Sequence, residues 1–426
     1  MALAAPPPPA ADGRRRSGSG AAFVAMATTA SVLGLIKGLV VAKVVGIEDF
    51  GYYGLVLVVA QFGTYVATWG VLNATFIRVP QAIARGEPGI ERQESEALSV
   101  LLATCAITVA VYVAALAAIP FDGAVREALL LAAVLAVGQA LGEYVLLLLR
   151  VRSALDVLGR LMVVRSVGVL VVGVAAGALF GYGAVVLAEL VALAITTILA
   201  RRARLHTLAP RRFPIDEAKS LVRFGAPLMV AELLSAAALT VDRLFVAGAV
   251  PDDLGHYVFA AQIVTVWVAV IGILSQWLSP PLLHAYGGGS PAGEVWRTSL
   301  RITAVILAGG AAGFAALHAS IWLLGDVLFA EYARALDVMP ILYVGGLLGA
   351  LAFPGILLQA LRPSRTLAAS ALGALVCVAG GIALTAGDAG LEAFAWLFVA
   401  SQAVTTAMTL ISTRRAIASA AHDAGA

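Results

Sequence analysis

Lysine occurs only as Lys37, Lys43 and Lys219, cysteine only as Cys105 and Cys377, and charged residues make up 12% of the chain. Both cysteines fall inside apolar segments, far apart in sequence, so they read as small buried side chains and not as a disulfide or metal pair. The five histidines, His206, His256, His284, His318 and His422, lack metal-ligand spacing. No glycine-rich loop ends in Lys-Ser or Lys-Thr, and no nucleophile motif stands out. These absences exclude a P-loop ATPase and predict no catalytic residue, no metal and no cofactor. The chain is not expected to be an enzyme. A net charge of +3 is too small for a nucleic-acid partner. A cleavable signal peptide is also not expected, because the first apolar stretch is long and no small-residue cleavage site follows it.

Apolar sequence is abundant: 61% of residues are hydrophobic and the mean hydropathy is +0.96. Twelve apolar segments are legible, at residues 21–45, 53–77, 97–119, 128–149, 161–180, 183–200, 223–247, 257–279, 300–324, 340–360, 366–386 and 391–411. Each is long enough to cross a hydrocarbon core of roughly 30 Å as a helix. Threading them from an inside N-terminus places 22 of the 28 basic residues on one side and leaves only Arg126 and Arg334 on the other. Adding or dropping one crossing would destroy that bias, so the reading is twelve crossings with both termini cytoplasmic and basic loops facing anionic lipid.

The expected fold is therefore all-α and polytopic, with about 12 transmembrane helices in two six-helix bundles. Residues 1–20, with Pro6 to Pro9 and Arg14 to Arg16, read as a disordered cytoplasmic tail. Residues 21–200 form the first bundle, 201–222 a basic cytoplasmic linker, 223–411 the second bundle and 412–426 a cytoplasmic tail. An internal echo supports the division. Glu48-Asp49-Phe50-Gly51-Tyr52-Tyr53 follows the first crossing, and Asp252-Asp253-Leu254-Gly255-His256-Tyr257 follows the seventh, 204 residues later. Six crossings per half is an even number, so the halves insert in the same orientation and enclose a central cleft.

Polar stripes follow the echoed loops. Gln61, Thr64, Thr68 and Thr75 fall within about 60° on the second crossing, and Gln262, Thr265, Ala269, Gly272 and Gln276 within about 80° on the eighth. Such faces turn away from lipid, either into a cleft or into helix packing. Ionisable groups within crossings are candidates for function because each costs several kcal/mol unless paired or hydrated. Lys37 lies near the middle of the first crossing and reads as cleft-lining, with a helix-holding ion pair as the alternative. Glu232 and Glu189 lie deep in the seventh and sixth crossings, where a desolvated carboxyl suits a proton or sodium site. Asp242 and Arg243 end the seventh crossing. Glu143 and Arg165 lie nearer the cytoplasmic ends, as gate or interface groups.

With the segments "VVGIEDFGYYGLVLVVAQFG" and "TVDRLFVAGAVPDDLGHYVFAAQ", the chain resembles the polysaccharide-biosynthesis flippases, the lipid-linked oligosaccharide exporters of the multidrug/oligosaccharidyl-lipid/polysaccharide (MOP) superfamily. Asp242 and Arg243 match that family's aspartate-arginine pair. The resemblance implies alternating access between two bundles. It also implies transport of an isoprenoid-diphosphate-linked glycan across a bacterial cytoplasmic (inner) membrane, coupled to a proton or sodium ion. On this reading Lys37, Arg165, Arg243, Gln61 and Gln262 are substrate-binding, and Glu232, Glu189 and Asp242 are ion-coupling. The partners are then the lipid-linked glycan, the coupling ion and membrane lipids. The alternatives are a cation-coupled multidrug exporter of the same superfamily, and a membrane glycan-assembly enzyme or scaffold.

Overall fold

In the computed structural model, residues 13–423 are described except 85–86, 120, 122, 153, 205–208, 211–214, 288–290, 329, 356, 359–362 and 388. Arg85, Arg211, Arg212 and Arg362, counted above among the inside basic residues, lie outside the described residues. All regular structure among the described residues is helical, as a lipid-embedded backbone that must satisfy its own N–H and C=O groups requires. Eleven of the described helices or helical runs are long and apolar enough to cross a membrane. The remaining expected crossing, 257–279, falls inside a 34-residue helix, Leu254–Gly287.

The first half comprises α1 (Gly13–Val45), α2 (Ile47–Thr68), α3 (Val71–Ala84), α4 (Ile90–Ala118), α5 (Gly123–Val151), α6 (Leu155–Gly168), α7 (Val174–Phe180) and α8 (Tyr182–Arg204). A π turn, Val169–Gly173, joins α6 and α7 within one crossing. The second half comprises α9 (Ile215–Thr240), α10 (Asp242–Ala249), α11 (Leu254–Gly287), α12 (Ala292–Leu328), α13 (Ala333–Leu351), α14 (Pro363–Ala386) and α15 (Leu391–Asp423). Residues 13–20 of the expected disordered tail are thus helical, while 1–12 lie outside the described residues. The expected linker 201–222 is likewise partly helical, since α8 runs to Arg204 and α9 starts at Ile215.

The second and seventh expected crossings are broken. The second splits at Trp69 and Gly70, both at positive φ. Gly70 meets the second half there: a Cβ on it would lie 2.1 Å from the Gly225 carbonyl carbon, so the backbones touch and no side chain fits. The seventh crossing divides at Val241 into α9 and α10.

Packing shows how the two halves meet. Within the first half, α2 packs on α5, α1 on α6 and α5 on α8. Within the second, α9 packs on α14, α11 on α13 and α15 on both α13 and α14. At the end holding the two echoed loops, one buried cluster draws on both halves, with Phe50, Tyr53, Tyr257, Phe259, Tyr332 and Phe394 among its largest members. At the opposite, arginine-rich end the core separates. One cluster belongs to the first half together with Leu221 of α9, and the other lies wholly in the second. The halves therefore share one core at the echoed end, whereas at the basic end their cores are separate and they meet through α3 and α9, where Gly70 touches Gly225 and Arg78 lies 3.4 Å from Glu217.

The echoed loops form the seal. A Cβ on Gly255 would lie 2.1 Å from the Ile47 carbonyl oxygen, and one on Gly51 would lie 3.1 Å from the Gly255 nitrogen. Each glycine of the repeated motif thus admits the other half's backbone. Tyr332 adds a hydrogen bond across the seam, donating to the Ala42 carbonyl at 2.7 Å.

Candidate functional site

Between α2, α3, α5, α6 and α9 lies a cavity of about 450 Å³, lined by Gln61, Thr64, Tyr65, Thr68, Asn73, Gln139, Glu143, Arg150, Arg165 and Glu232 among others. Glu143, Arg150 and Arg165 also line a second cavity, of about 260 Å³, which runs inside the first half past Ser31, Gly34 and Thr196 to Lys37 and Glu189. A third, of about 190 Å³, lies against the second half and is lined by Asp242, Arg243, Thr265 and Phe398, with Gln61 reaching it from α2. Polar side chains in a membrane helix turn to such spaces because hydrocarbon offers them no partner.

Seven of the eight expected site residues line these cavities: Gln61, Arg165 and Glu232 in the first, Lys37, Glu189 and again Arg165 in the second, and Asp242, Arg243 and again Gln61 in the third. Gln262 instead packs against α1, where a Cβ on Gly38 would lie 3.0 Å from its Cγ. The polar stripe of α2 divides too. Thr64 and Thr68 face the first cavity, but the Thr75 hydroxyl is buried and donates to the Val71 carbonyl. The side chains of Gly272 and Gln276 lie outside the described residues.

Lys37 is not a free cation. Its Nζ lies 2.6 Å from Glu189 Oε1 and donates to the Tyr53 hydroxyl at 2.8 Å. The Tyr53 hydroxyl in turn donates to the same Glu189 oxygen at 2.5 Å. Lys37 thus borders the second cavity, as expected, and also forms the ion pair given as the alternative. Glu189, expected as a separate carboxylate, is the other half of that pair. The physical reason is mutual: each charge is tolerable at that depth because the other neutralises it and the tyrosine supplies a further hydrogen bond.

The second half holds a related arrangement with different chemistry. Tyr257, 204 residues after Tyr53, donates to Asp242 Oδ2 at 2.5 Å and approaches the Phe394 carbonyl at 3.3 Å. Asp242 is 2% exposed, yet its Oδ1 has no hydrogen-bond partner among the described residues, and neither has the buried Nε of Arg243. Arg243 Nη2 donates to Thr265 Oγ1 at 2.8 Å. Arg150 and Arg165 form no ion pair with any described residue.

Tyr53, Tyr257, Asn73 and Arg150 were not among the expected site residues. A signal for the tyrosines was present, since both close the echoed motif. Arg150 stands where α5 ends, a usual place for a loop arginine, and nothing in sequence shows that it faces a cavity.

The family model described as "Polysaccharide biosynthesis protein" matches residues 40–326, about two thirds of the chain. The fold is similar to that of a MOP superfamily transporter from Pyrococcus furiosus, with a TM-score of 0.67 at 15% identity over 94% of this chain and 95% of that one. It is also similar to a multidrug resistance MATE family transporter of the MOP superfamily in its inward-facing conformation, with a TM-score of 0.68 at 16% identity over 94% and 98% of the two chains. For an outward-facing structure of such a transporter the TM-score is 0.64 at 17% identity, over 94% and 96%. No curated protein matches the sequence. By the extent of the family match, and with a fold that agrees with it, the chain belongs to the polysaccharide biosynthesis protein family and is built on the fold of the MOP superfamily transporters.

Proposed function

We propose that the protein is a flippase that carries an isoprenoid-diphosphate-linked oligosaccharide, a polysaccharide precursor, across a bacterial cytoplasmic membrane by alternating access. The observation that carries this reading is the cavity pair at the arginine-rich end in a member of a polysaccharide biosynthesis family. Arg150 and Arg165 border both cavities without an ion-pair partner among the described residues. Glu143, Glu232, Asn73, Gln61 and Gln139 share the first cavity with them. Guanidinium groups suit an anionic carrier, and carboxylates and amides suit sugar hydroxyls. With both termini cytoplasmic, the two cavities lie towards the inner face and the echoed loops close the outer one.

Within this reading Arg165, Arg243 and Gln61 contact cargo. Lys37 acts with Glu189 as a neutral pair at the head of the second cavity, and Gln262 belongs to the packed seam. Coupling to a proton or sodium gradient falls to Glu232 and Asp242, which are not held in ion pairs by described residues, in preference to Glu189. The decisive experiment is deletion of the gene, followed by extraction of lipid-linked glycans from the inner leaflet. Accumulation of one such glycan, reversed by the intact gene, is the expected result. Unchanged glycan pools would reject the reading.

A second reading, a cation-coupled multidrug exporter, is favoured by the likeness to MATE transporters and by the carboxylates Glu143 and Glu232. For the Pyrococcus furiosus transporter, a binding pocket of reverse polarity is held to suggest a different function. Drug sensitivity on deletion, with normal glycan pools, would select this alternative.

A further inference from the structure

The seal at the echoed end contains a histidine that no part of the transport reading uses. His256 is half-buried, next to Gly255, whose backbone presses on Ile47 of the first half. Its ring meets Tyr332 edge to face, with centroids 6.1 Å apart and planes at 78°. Tyr332 in turn stacks on Phe259 at 4.5 Å, meets Phe50 of the first half edge-on and donates to the Ala42 carbonyl. His256 Nδ1 is buried and has no hydrogen-bond partner among the described residues.

We infer that His256 is an acid-sensitive latch: protonation of its imidazole weakens the contact between the halves at the echoed end and favours the arrangement open on that side. A neutral imidazole tolerates a bare Nδ1, because one ring nitrogen carries no proton. The imidazolium has two N–H donors, so its Nδ1–H would be buried without an acceptor, in addition to the cost of burying the charge. The charged groups nearby do not remove that cost. Asp253 faces the ring and attracts a proton, but its carboxylate is bonded to Arg334, which repels one. Lys43 and Glu331, at the same end, are exposed and paired with each other. Opening the seal would place His256 in water, where the ring takes up a proton near its unperturbed value of roughly 6.5. The closed arrangement therefore binds the proton less tightly than the open one, and by linkage acid shifts the population towards opening. The inference is independent of the cargo and holds for a glycan or a drug exporter alike.

The test is a distance measured across the seal. Spin labels on Glu48→Cys and Asp252→Cys, both exposed and on opposite halves, report its opening in nanodiscs when Cys105 and Cys377 are replaced by alanine. Between about pH 8 and pH 5 the long-distance population should grow, by about tenfold relative to the short one if the open form holds the proton tenfold more tightly. His256→Gln should abolish the response and keep the closed population. His256→Phe, which retains the ring contact without a titratable group, serves the same purpose if the glutamine variant fails to fold. A pH-invariant distance in the native protein would overturn the inference, as would an undiminished response in both variants. Neither result would touch the transport reading, which rests on the glycan pools.

Discussion

The two tyrosines that close the echoed motif occupy related places and do different things. In the first half Tyr53 joins Lys37 and Glu189 into a triad in which each group is bonded to both others. In the second half Tyr257 bonds Asp242, but among the described residues Asp242 Oδ1 and the neighbouring Arg243 Nε are left without partners at the wall of a cavity. A buried polar group left unmade costs more than a made one contributes. The first node is therefore a clasp that holds α1, α2 and α8 together. The second retains unmet bonding capacity beside the cavity that Arg243 lines and that Gln61 reaches from the first half. Repetition of a motif preserved the position of the hydroxyl and not the role of its partners.

The largest effect should come from breaking the clasp on one side only. Lys37→Ala leaves Glu189 buried without its counter-charge and should cost about 3–5 kcal/mol, read as a lower unfolding temperature and lower protein level in membranes. Adding Glu189→Gln to that variant should recover much of the loss, because an amide is easier to bury than a lone charge. A stable Lys37→Ala protein would show that the pair is not a clasp.

Next in size is the seam between the halves. Gly255→Ala drives a Cβ to within 2.1 Å of the Ile47 carbonyl oxygen, where backbone meets backbone and neither yields readily. A cost of about 1–3 kcal/mol is expected, with loss of the closed population in the spin-label measurement. Gly34→Ala is the control, since nothing lies within 4 Å of its added Cβ.

The two nodes separate most directly under loss of a hydroxyl. Tyr257→Phe strips Asp242 Oδ2 of the hydroxyl it accepts from and should cost about 1–3 kcal/mol. Tyr53→Phe leaves Glu189 its lysine and should cost about 0.5–1.5 kcal/mol. Thermal unfolding of the two single variants in one detergent checks the order, and a larger loss for Tyr53→Phe would reverse the assignment of clasp and open node. The smallest effect belongs to Lys43→Ala. Its partner Glu331 is at 3.4 Å and both side chains are largely exposed, so a change below about 1 kcal/mol is expected.

Sequence reading succeeded where the physics is one-dimensional. The crossings follow from run length and hydropathy. It also picked out seven cavity-lining residues, because a charge or amide in the middle of an apolar run signals itself. Pairing was not legible. Lys37 and Glu189 lie 152 residues apart, and no periodicity on either helix shows that one faces the other. The breaks at Trp69–Gly70 and Val241 were missed for a related reason. Gly70 is an ordinary membrane-helix residue by composition, and only the approach of Gly225 makes it a place where the chain must turn.

The amino-acid sequence by itself determined the helical membrane architecture, because lipid demands long self-bonded apolar segments. The tertiary structure alone decided which charges cancel and which remain available. Lys37 became half of a buried pair, and among the described residues Arg150 and Arg165 have no ion partner at their cavity wall and Asp242 keeps an unbonded oxygen. That outcome depends on distances of a few ångströms between helices remote in sequence, where Coulomb energy and desolvation change steeply and no local pattern records them.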